Sequence, residues 1–336
     1  MGEADVAGPE RWAEFWRSGA LTSLPEAYQG NYAGAVGEFW KERFAALESG
    51  AAVLDIGTGN GAVALLAVHN TRERRIECEV HAVDHAPIDP VRHLPESSAT
   101  LARQVHFHPG VDAAALPFAE ARFALVTGQY ALEYTRTAQV APELARVTRP
   151  GAELALLMHR SDARPVTGAA ETRDQVAAIF QYELFPAARD LSRIIAAAQS
   201  AGRSPADLAR DREAETARDA LNRVAGKLQT AARSFQDPYL IRHALDGVRR
   251  AHALVTRGQG EDAGKLLDQL EADLQAGRRR AEDLLACRHG VAERADIRKA
   301  LVASGFELLA DEPLYEPVGG DRVLVAQALR LRRGPA

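Results

Sequence analysis

The sequence predicts an α/β protein: a seven-stranded, mostly parallel sheet with helices on both faces, together with an α-helical inserted subdomain. Three observations carry this. Short apolar runs alternate with helix-period segments between residues 51 and 159, a pattern that implies parallel strands joined by helical crossovers. Strand signals vanish over 160–292, where Ala, Leu, Arg, Glu and Asp dominate. They return over 293–331. At 336 residues, 46% of them hydrophobic and 26% charged, the chain is long enough for one large domain or two modest ones.

Residues 1–50 read as an N-terminal helical lid. Trp12, Phe15 and Trp16 fall at helical spacing, Gly30 interrupts the pattern, and a second helix over 33–47 carries Val36, Phe39, Trp40 and Phe44 on one side. These aromatics either pack on the core or cover a ligand, with Tyr28 or Tyr32 in contact. Strands are expected at 52–56, 79–84, 105–109, 123–127, 153–159, 306–310 and 323–331. A helix should begin at Ala62, another should run over 140–147, and Gly151 should follow Pro150 in a tight turn. In the helical block the expected segments are 171–201, 205–235, 239–257 and 262–288. Ile241, Leu245, Val248 and Val255 form one stripe. Leu267, Leu270, Leu274, Ala281 and Leu284 form another. Gly258-Gln259-Gly260 between them suggests an antiparallel helical hairpin. A helix over 296–304, ended by Gly305, leads back into the sheet.

Bulk properties exclude several classes. A net charge of −5 leaves no general basic footprint for nucleic acid. Arg278-Arg279-Arg280 reads as a solvated helix face, with anion binding as the alternative. Cys78 and Cys287 are too few and too isolated for a disulfide framework or a metal cluster. No metal is therefore expected, and a reducing cytoplasm fits. The segment 1–16 is acidic and aromatic rather than basic then apolar, unlike a signal peptide. No apolar run reaches the ~20 residues of a membrane span.

The most informative stretch is Val53-Leu54-Asp55-Ile56-Gly57-Thr58-Gly59-Asn60-Gly61. An apolar strand ends in an acid, and alternating glycines then let the backbone turn sharply and approach a ligand. The helix that follows aims its free N–H groups at the same spot. Gly57, Gly59 and Ala62 also satisfy the dinucleotide pattern G-x-G-x-x-G/A. Asp84, about twenty residues on, suits a ribose-binding acid. Spacing alone thus leaves a nicotinamide cofactor open. Asp55 argues against one, because a carboxylate beneath a pyrophosphate is repelled whereas a cationic amine is attracted.

Further segments follow in order: His81-Ala82-Val83-Asp84, Val111 to Phe118, Phe123 to Gln129, Glu143 to Ala152 and Ala300 to Glu307. With the glycine turn, these resemble the motifs of class I S-adenosylmethionine-dependent methyltransferases over residues 50–159 and 293–331. The resemblance implies a Rossmann-like core over 51–159 and 293–331, with 160–292 as a helical insertion serving as substrate cap, dimerisation element or both. It implies S-adenosyl-L-methionine as cofactor. Asp55 would help hold its amino end, Asp84 both ribose hydroxyls, Asp112 the adenine amino group and Ala113 the ring edge. Tyr32, Gly57, Thr58, Gly59, Asn60, Gly61, His85 and Gln129 complete the expected cofactor contacts. Two positions depart from the family pattern: Val111 stands where a glycine is usual, and Ala124 where an acid is usual.

Methyl transfer from a sulfonium is an in-line displacement, so the protein chiefly positions, desolvates and, where needed, deprotonates the nucleophile. The expected catalytic residues lie past the fourth and fifth strands: His159 as a base near neutral pH, Glu133 as base or amine partner, and Tyr130. Tyr134 and Arg160 adjoin them. No N/D-P-P-Y/F sequence follows the fourth strand, which argues against the amino-group methyltransferases of nucleic-acid bases that use it. The leading expectation is a cytoplasmic enzyme that methylates O, N or C of a small-molecule acceptor, with a homodimer formed through the helical insertion and no membrane or nucleic-acid partner. The alternatives are a macromolecule-directed methyltransferase docking through the helical block, a non-catalytic cofactor-binding assembly protein, and an NAD-dependent oxidoreductase.

Overall fold

The structure, a computed structural model, describes residues 9–25, 28, 30–287 and 290–335. The first eight residues of the expected lid, and Arg288 at the end of the expected 262–288 helix, lie outside these. The chain divides into two units, residues 1–167 with 286–336, and residues 168–285.

In the first unit, α1 (Pro9–Arg17) and α2 (Gly34–Ala45) precede β1 (Ala51–Ile56) and α3 (Ala62–Arg74). Next come β2 (Cys78–Asp84), α4 (Pro90–His93), α5 (Glu96–Ala102), β3 (His106–Pro109) and β4 (Phe123–Gln129). A single 3-10 turn (Leu132–Tyr134), α6 (Thr137–Val147) and β5 (Thr148–Met158) follow. The strands form one sheet in the order β3-β2-β1-β4-β5-β7-β6, where β6 is Phe306–Val318 and β7 is Asp321–Arg333. β7 runs antiparallel to both its neighbours, and the other pairings are parallel. The predicted α/β class and seven strands are thus observed.

Alternation along the strands sends side chains to two cores. Val53, Leu125, Ala155 and Leu157 pack with α2 and α3. Leu54, Ile56, Val126, Leu154 and Leu156 pack beneath α6 and α13 (Val291–Ala303). The chain leaves β1 toward β2 and β3, then returns to place β4 on the other side of β1. That reversal opens a crevice at the carboxyl ends of β1 and β4, where ligands of such sheets bind.

The second unit, with the ends of its first and last helices, comprises α7 (Arg164–Gln181), α8 (Leu184–Ser200), α9 (Pro205–Ala209), α10 (Arg212–Ala231), α11 (Tyr239–Thr256) and α12 (Gly260–Ala286). The helix expected over 171–201 is two helices, broken where Glu183 takes a left-handed backbone (φ 60°). The one expected over 205–235 breaks at Asp211, whose side chain caps α10 by accepting from the Ala214 N–H. The predicted stripes do meet: Ile241, Val248 and Val255 share one core with Leu267, Leu270 and Leu274. Gly247 lies against Leu270, so closely that a Cβ there would stand 2.3 Å from its Cδ2. Gly151 keeps a positive φ (79°), yet the strand runs through it, and β5 starts at Thr148 rather than after the turn. No helix among the described residues is long and apolar enough to cross a membrane.

Candidate active site

The glycine turn is built by backbone geometry. Gly57, Gly59 and Gly61 have φ of 59°, 54° and 87°, a region that L side chains seldom adopt. The Thr58 N–H bonds the Val83 carbonyl (3.1 Å), tying the turn to β2, and the Gly61 N–H bonds the Thr58 carbonyl (2.9 Å). Crowding adds to the requirement. A Cβ on Gly57 would lie 2.3 Å from Ala131 Cβ, and one on Gly59 2.3 Å from Trp16 Cζ2.

Asp55 is buried at the end of β1. Its carboxylate accepts from Thr58 Oγ1 (2.5 Å) and Thr127 Oγ1 (2.8 Å). Burial pushes its pKa up to about 7 against these hydrogen bonds, and the charge of Asp84 adds to the rise. The register pairs Asp55 with Ala82, so Asp84, two residues on, projects from the same sheet face. Asp84 accepts from the Gly59 N–H (2.7 Å) and the Ala86 N–H (2.8 Å). Burial raises its pKa, with those two bonds opposing. Its own carbonyl receives the Val111 N–H (2.9 Å), which brings the 111–118 loop alongside. There Asp112 is exposed and folds its carboxylate onto the Ala114 N–H (2.9 Å), beside a partly buried Ala113. His85 is exposed next to Asp84.

The Glu143–Arg146 pair on α6 explains one of the sequence motifs. Glu143 accepts the Leu116 N–H (2.8 Å), while Arg146 donates to the Leu116 carbonyl (3.0 Å) and the Phe118 carbonyl (2.7 Å). The two side chains bond one another (2.7 Å). One ion pair therefore clamps the loop that holds Asp112.

On the same sheet face as Asp55, Gln129 ends β4 and accepts a hydrogen bond from the Trp40 indole (2.5 Å). Tyr32 is buried, with its hydroxyl 3.2 Å from Ser23 Oγ. Burial raises its pKa to about 12, and Asp55 and Gln129 both act on it. Asn60 holds the N-terminal segment. Its amide donates to the carbonyls of Trp16 and Ala20 (2.8 Å each), while its Oδ1 is buried with no hydrogen-bond partner. The sequence reading missed this tether, and also the contact of Trp16 with Gly59. The aromatic spacing of α1 was visible, but its target was not.

Past β4 and β5 stands a second group. Tyr130 has a left-handed backbone (φ 54°). Its ring stacks on the buried His159 (centroids 4.1 Å apart, planes 7°) and its hydroxyl donates to the Val325 carbonyl (3.0 Å). Burial holds that phenol well above its usual pKa. Tyr130 is thereby a wall that fixes the imidazole. Glu133, buried in the 3-10 turn, accepts the His159 N–H through Oε1, and its Oε2 has no hydrogen-bond partner. Burial lifts its pKa to about 7, against the His159 bond and the charge of Arg294. A carboxyl poised near neutrality with one oxygen free of hydrogen bonds can take or give a proton. Arg160 is turned to Asp162 and Gln327. No group of three or more His, Cys, Asp or Glu suited to a metal occurs among the described residues.

This arrangement fits a nucleoside bearing an amino acid. Asp55 is a buried carboxyl that a cation would ionise, and Asp84 offers acceptors at the neighbouring strand tip. Residues 53–151 match the family model of a methyltransferase domain. No curated protein matches the chain. Among solved structures, the [4+2]-cyclase SpnF shares 23% identity over 37% of this chain and 43% of its own, with TM-score 0.31. A SAM dependent methyltransferase from Aquifex aeolicus shares 20% over 46% and 75%, with TM-score 0.35. A chain of the complex between the Haloferax volcanii Trm112 methyltransferase activator and a methyltransferase shares 10% over 96% and 98%, with TM-score 0.46. The chain spans 43% of the length of the cyclase and 65% of that of a geranyl diphosphate methyltransferase it also matches.

Residues 53–151 of the first unit thus match a methyltransferase domain. This agrees with the resemblance of the sequence motifs to class I S-adenosylmethionine-dependent methyltransferases, whose cofactor is S-adenosyl-L-methionine.

Proposed function

We propose that the protein methylates an O, N or C nucleophile of a small-molecule acceptor. The observation that carries this reading is Glu133: a buried carboxyl with a pKa of about 7, one oxygen on the His159 amide and the other buried with no hydrogen-bond partner. When bound, the cofactor supplies an electrophilic methyl group on a sulfonium. Asp55 receives the ammonium end, which draws its carboxyl into the ionised state. Asp84 accepts the ribose hydroxyls while keeping its bonds to the Gly59 and Ala86 amides. Asp112 and Ala113 border the adenine. Glu133 removes the acceptor proton, His159 lies beside it, and Tyr130 holds the imidazole in place. Tyr32, Gln129 and Trp40 form an apolar-backed wall that keeps water from the reacting atoms. Cys78 and Cys287 are free thiols, which suits a reducing cytoplasm.

Calorimetry with S-adenosyl-L-methionine and with NAD, followed by methyl turnover on a panel of small O, N and C acceptors, tests the reading. Binding of the sulfonium alone, with turnover lost in Glu133→Gln, is expected. Binding of NAD instead, or full turnover in that variant, would sink it.

A further inference from the structure

Trp40 is fully buried on α2, edge-on to Phe39 (4.9 Å) and stacked on Phe44 (6.3 Å). An indole so placed needs an acceptor for its N–H, and Gln129 Oε1 supplies it at 2.5 Å. An indole nitrogen only donates. The Gln129 amide therefore has one permitted orientation, with Oε1 toward Trp40 and Nε2 turned away from it. That Nε2 is buried with no hydrogen-bond partner, in a residue only 8% exposed. A buried donor left unmet is costly, so the position calls for an acceptor.

The sheet register places this donor. Asp55 pairs with Thr127 across β1 and β4, and Gln129, two residues on, projects from the same face. Tyr32 stands beside both, since Asp55 and Gln129 each act on its phenol. Asn31 holds Tyr32 there: its Oδ1 accepts the Tyr32 N–H (2.7 Å), and its Nδ2 donates to the Ala62 carbonyl at the start of α3 (2.8 Å). The Tyr32 oxygen accepts the Ser23 N–H (3.4 Å). Burial keeps the phenol protonated, with a pKa of about 12, so its proton serves Ser23 Oγ or a ligand. Two neutral donors thus adjoin the Asp55 carboxyl.

The amino-acid end of S-adenosyl-L-methionine carries an ammonium and a carboxylate on one carbon. An ammonium received by Asp55 brings the carboxylate against the same wall, where the Asp55 charge repels it unless donors face it. A reversed Gln129 amide would offer Oε1 to the ammonium instead, and the Trp40 indole excludes that arrangement. We propose that Gln129 Nε2 and the Tyr32 hydroxyl seat the carboxylate, and that Trp40 is the positioning residue that fixes the polarity of Gln129. This rests on the methyl-transfer reading for the ligand and adds which side chains recognise its carboxylate.

Calorimetry of the full chain with S-adenosyl-L-homocysteine, and with its decarboxylated analogue that keeps the ammonium, reads the carboxylate as a ratio of dissociation constants. The ratio cancels any general weakening of the crevice in a variant. The wild type should prefer S-adenosyl-L-homocysteine by about tenfold or more, as for a charge-assisted contact. Gln129→Leu should cut that preference several-fold. Trp40→Phe, which keeps an aromatic ring and frees the amide to turn, should cut it likewise. Equal binding of the two compounds by the wild type would overturn the seat and leave the cofactor assignment standing, whereas binding of neither would overturn both. An undiminished preference in Gln129→Leu or in Trp40→Phe would overturn the seat as well.

Discussion

The Trp16 indole lies on Gly59, so near that a methyl group on the glycine would stand 2.3 Å from Cζ2 and 2.6 Å from Cε2. The first helix thereby rests on the middle of the turn expected to cradle the cofactor. Trp12 stacks on Trp16 (5.9 Å) and meets Tyr134 edge-on (5.8 Å). A nucleoside entering this crevice has to repack these rings. Titration with S-adenosyl-L-methionine should shift the tryptophan emission, and Trp16→Phe should remove most of that change. Cofactor binding with silent emission would show that the indole stays where it is.

Asn60 governs the same movement from below. Its two bonds to the Trp16 and Ala20 carbonyls are the side-chain tether of this segment to the turn. Asn60→Ala should cost ~1–3 kcal/mol and make the 9–25 segment cleave faster in limited proteolysis. Unchanged cleavage would mean that aromatic packing alone holds it.

Acid and base should act on the cofactor-free protein in a defined direction. Asp55 and Glu133 both have folded pKa values of about 7, above their ordinary 3.8 and 4.5. The fold thus favours their protonated forms. Their stabilising contribution is complete below about pH 4 and is lost as the pH climbs through 7, at ~3–4 kcal/mol per group. Denaturant melts between pH 5 and 8 should show stability falling with pH, and Asp55→Asn should flatten part of that slope. Binding a cationic amine at Asp55 should release protons near pH 7. Calorimetry in buffers of different ionisation enthalpy reads that release directly.

Arg146→Ala should free the 111–118 loop. The side chain satisfies two carbonyls and one carboxylate, and it is only partly exposed. The expected loss is ~2–3 kcal/mol, with weaker cofactor affinity because Asp112 rides on that loop. Arg146→Lys, which cannot span the same acceptors, should recover little of either.

Local signals revealed most of the sheet. Most strands stand within a few residues of their expected places, because buried parallel strands are short apolar runs bounded by turns; β5 starts five residues early and β6, expected over 306–310, runs on to Val318. Helix ends were less legible. Glu183 breaks a continuous helical pattern through a backbone angle that no neighbouring residue announces. Asp55 could be singled out because it ends an apolar strand just before glycines, and Asp84 because it ends the next apolar strand. Trp16 on Gly59, Trp40 on Gln129 and Arg294 near Glu133 could not, since each joins residues far apart in sequence and depends on the packed geometry.

The reversed strand β7 carries a consequence for biosynthesis. It sits between β5 and β6, so β6 has no neighbour until β7 arrives. Residues 159–305 must all leave the ribosome before either strand can be seated. From its own synthesis until β7 arrives, β5 is therefore the raw border of the sheet, its backbone N–H and C=O groups unpaired on that side. The hairpin of β6 and β7 closes that border in a single late step, and chaperone demand should peak just before it.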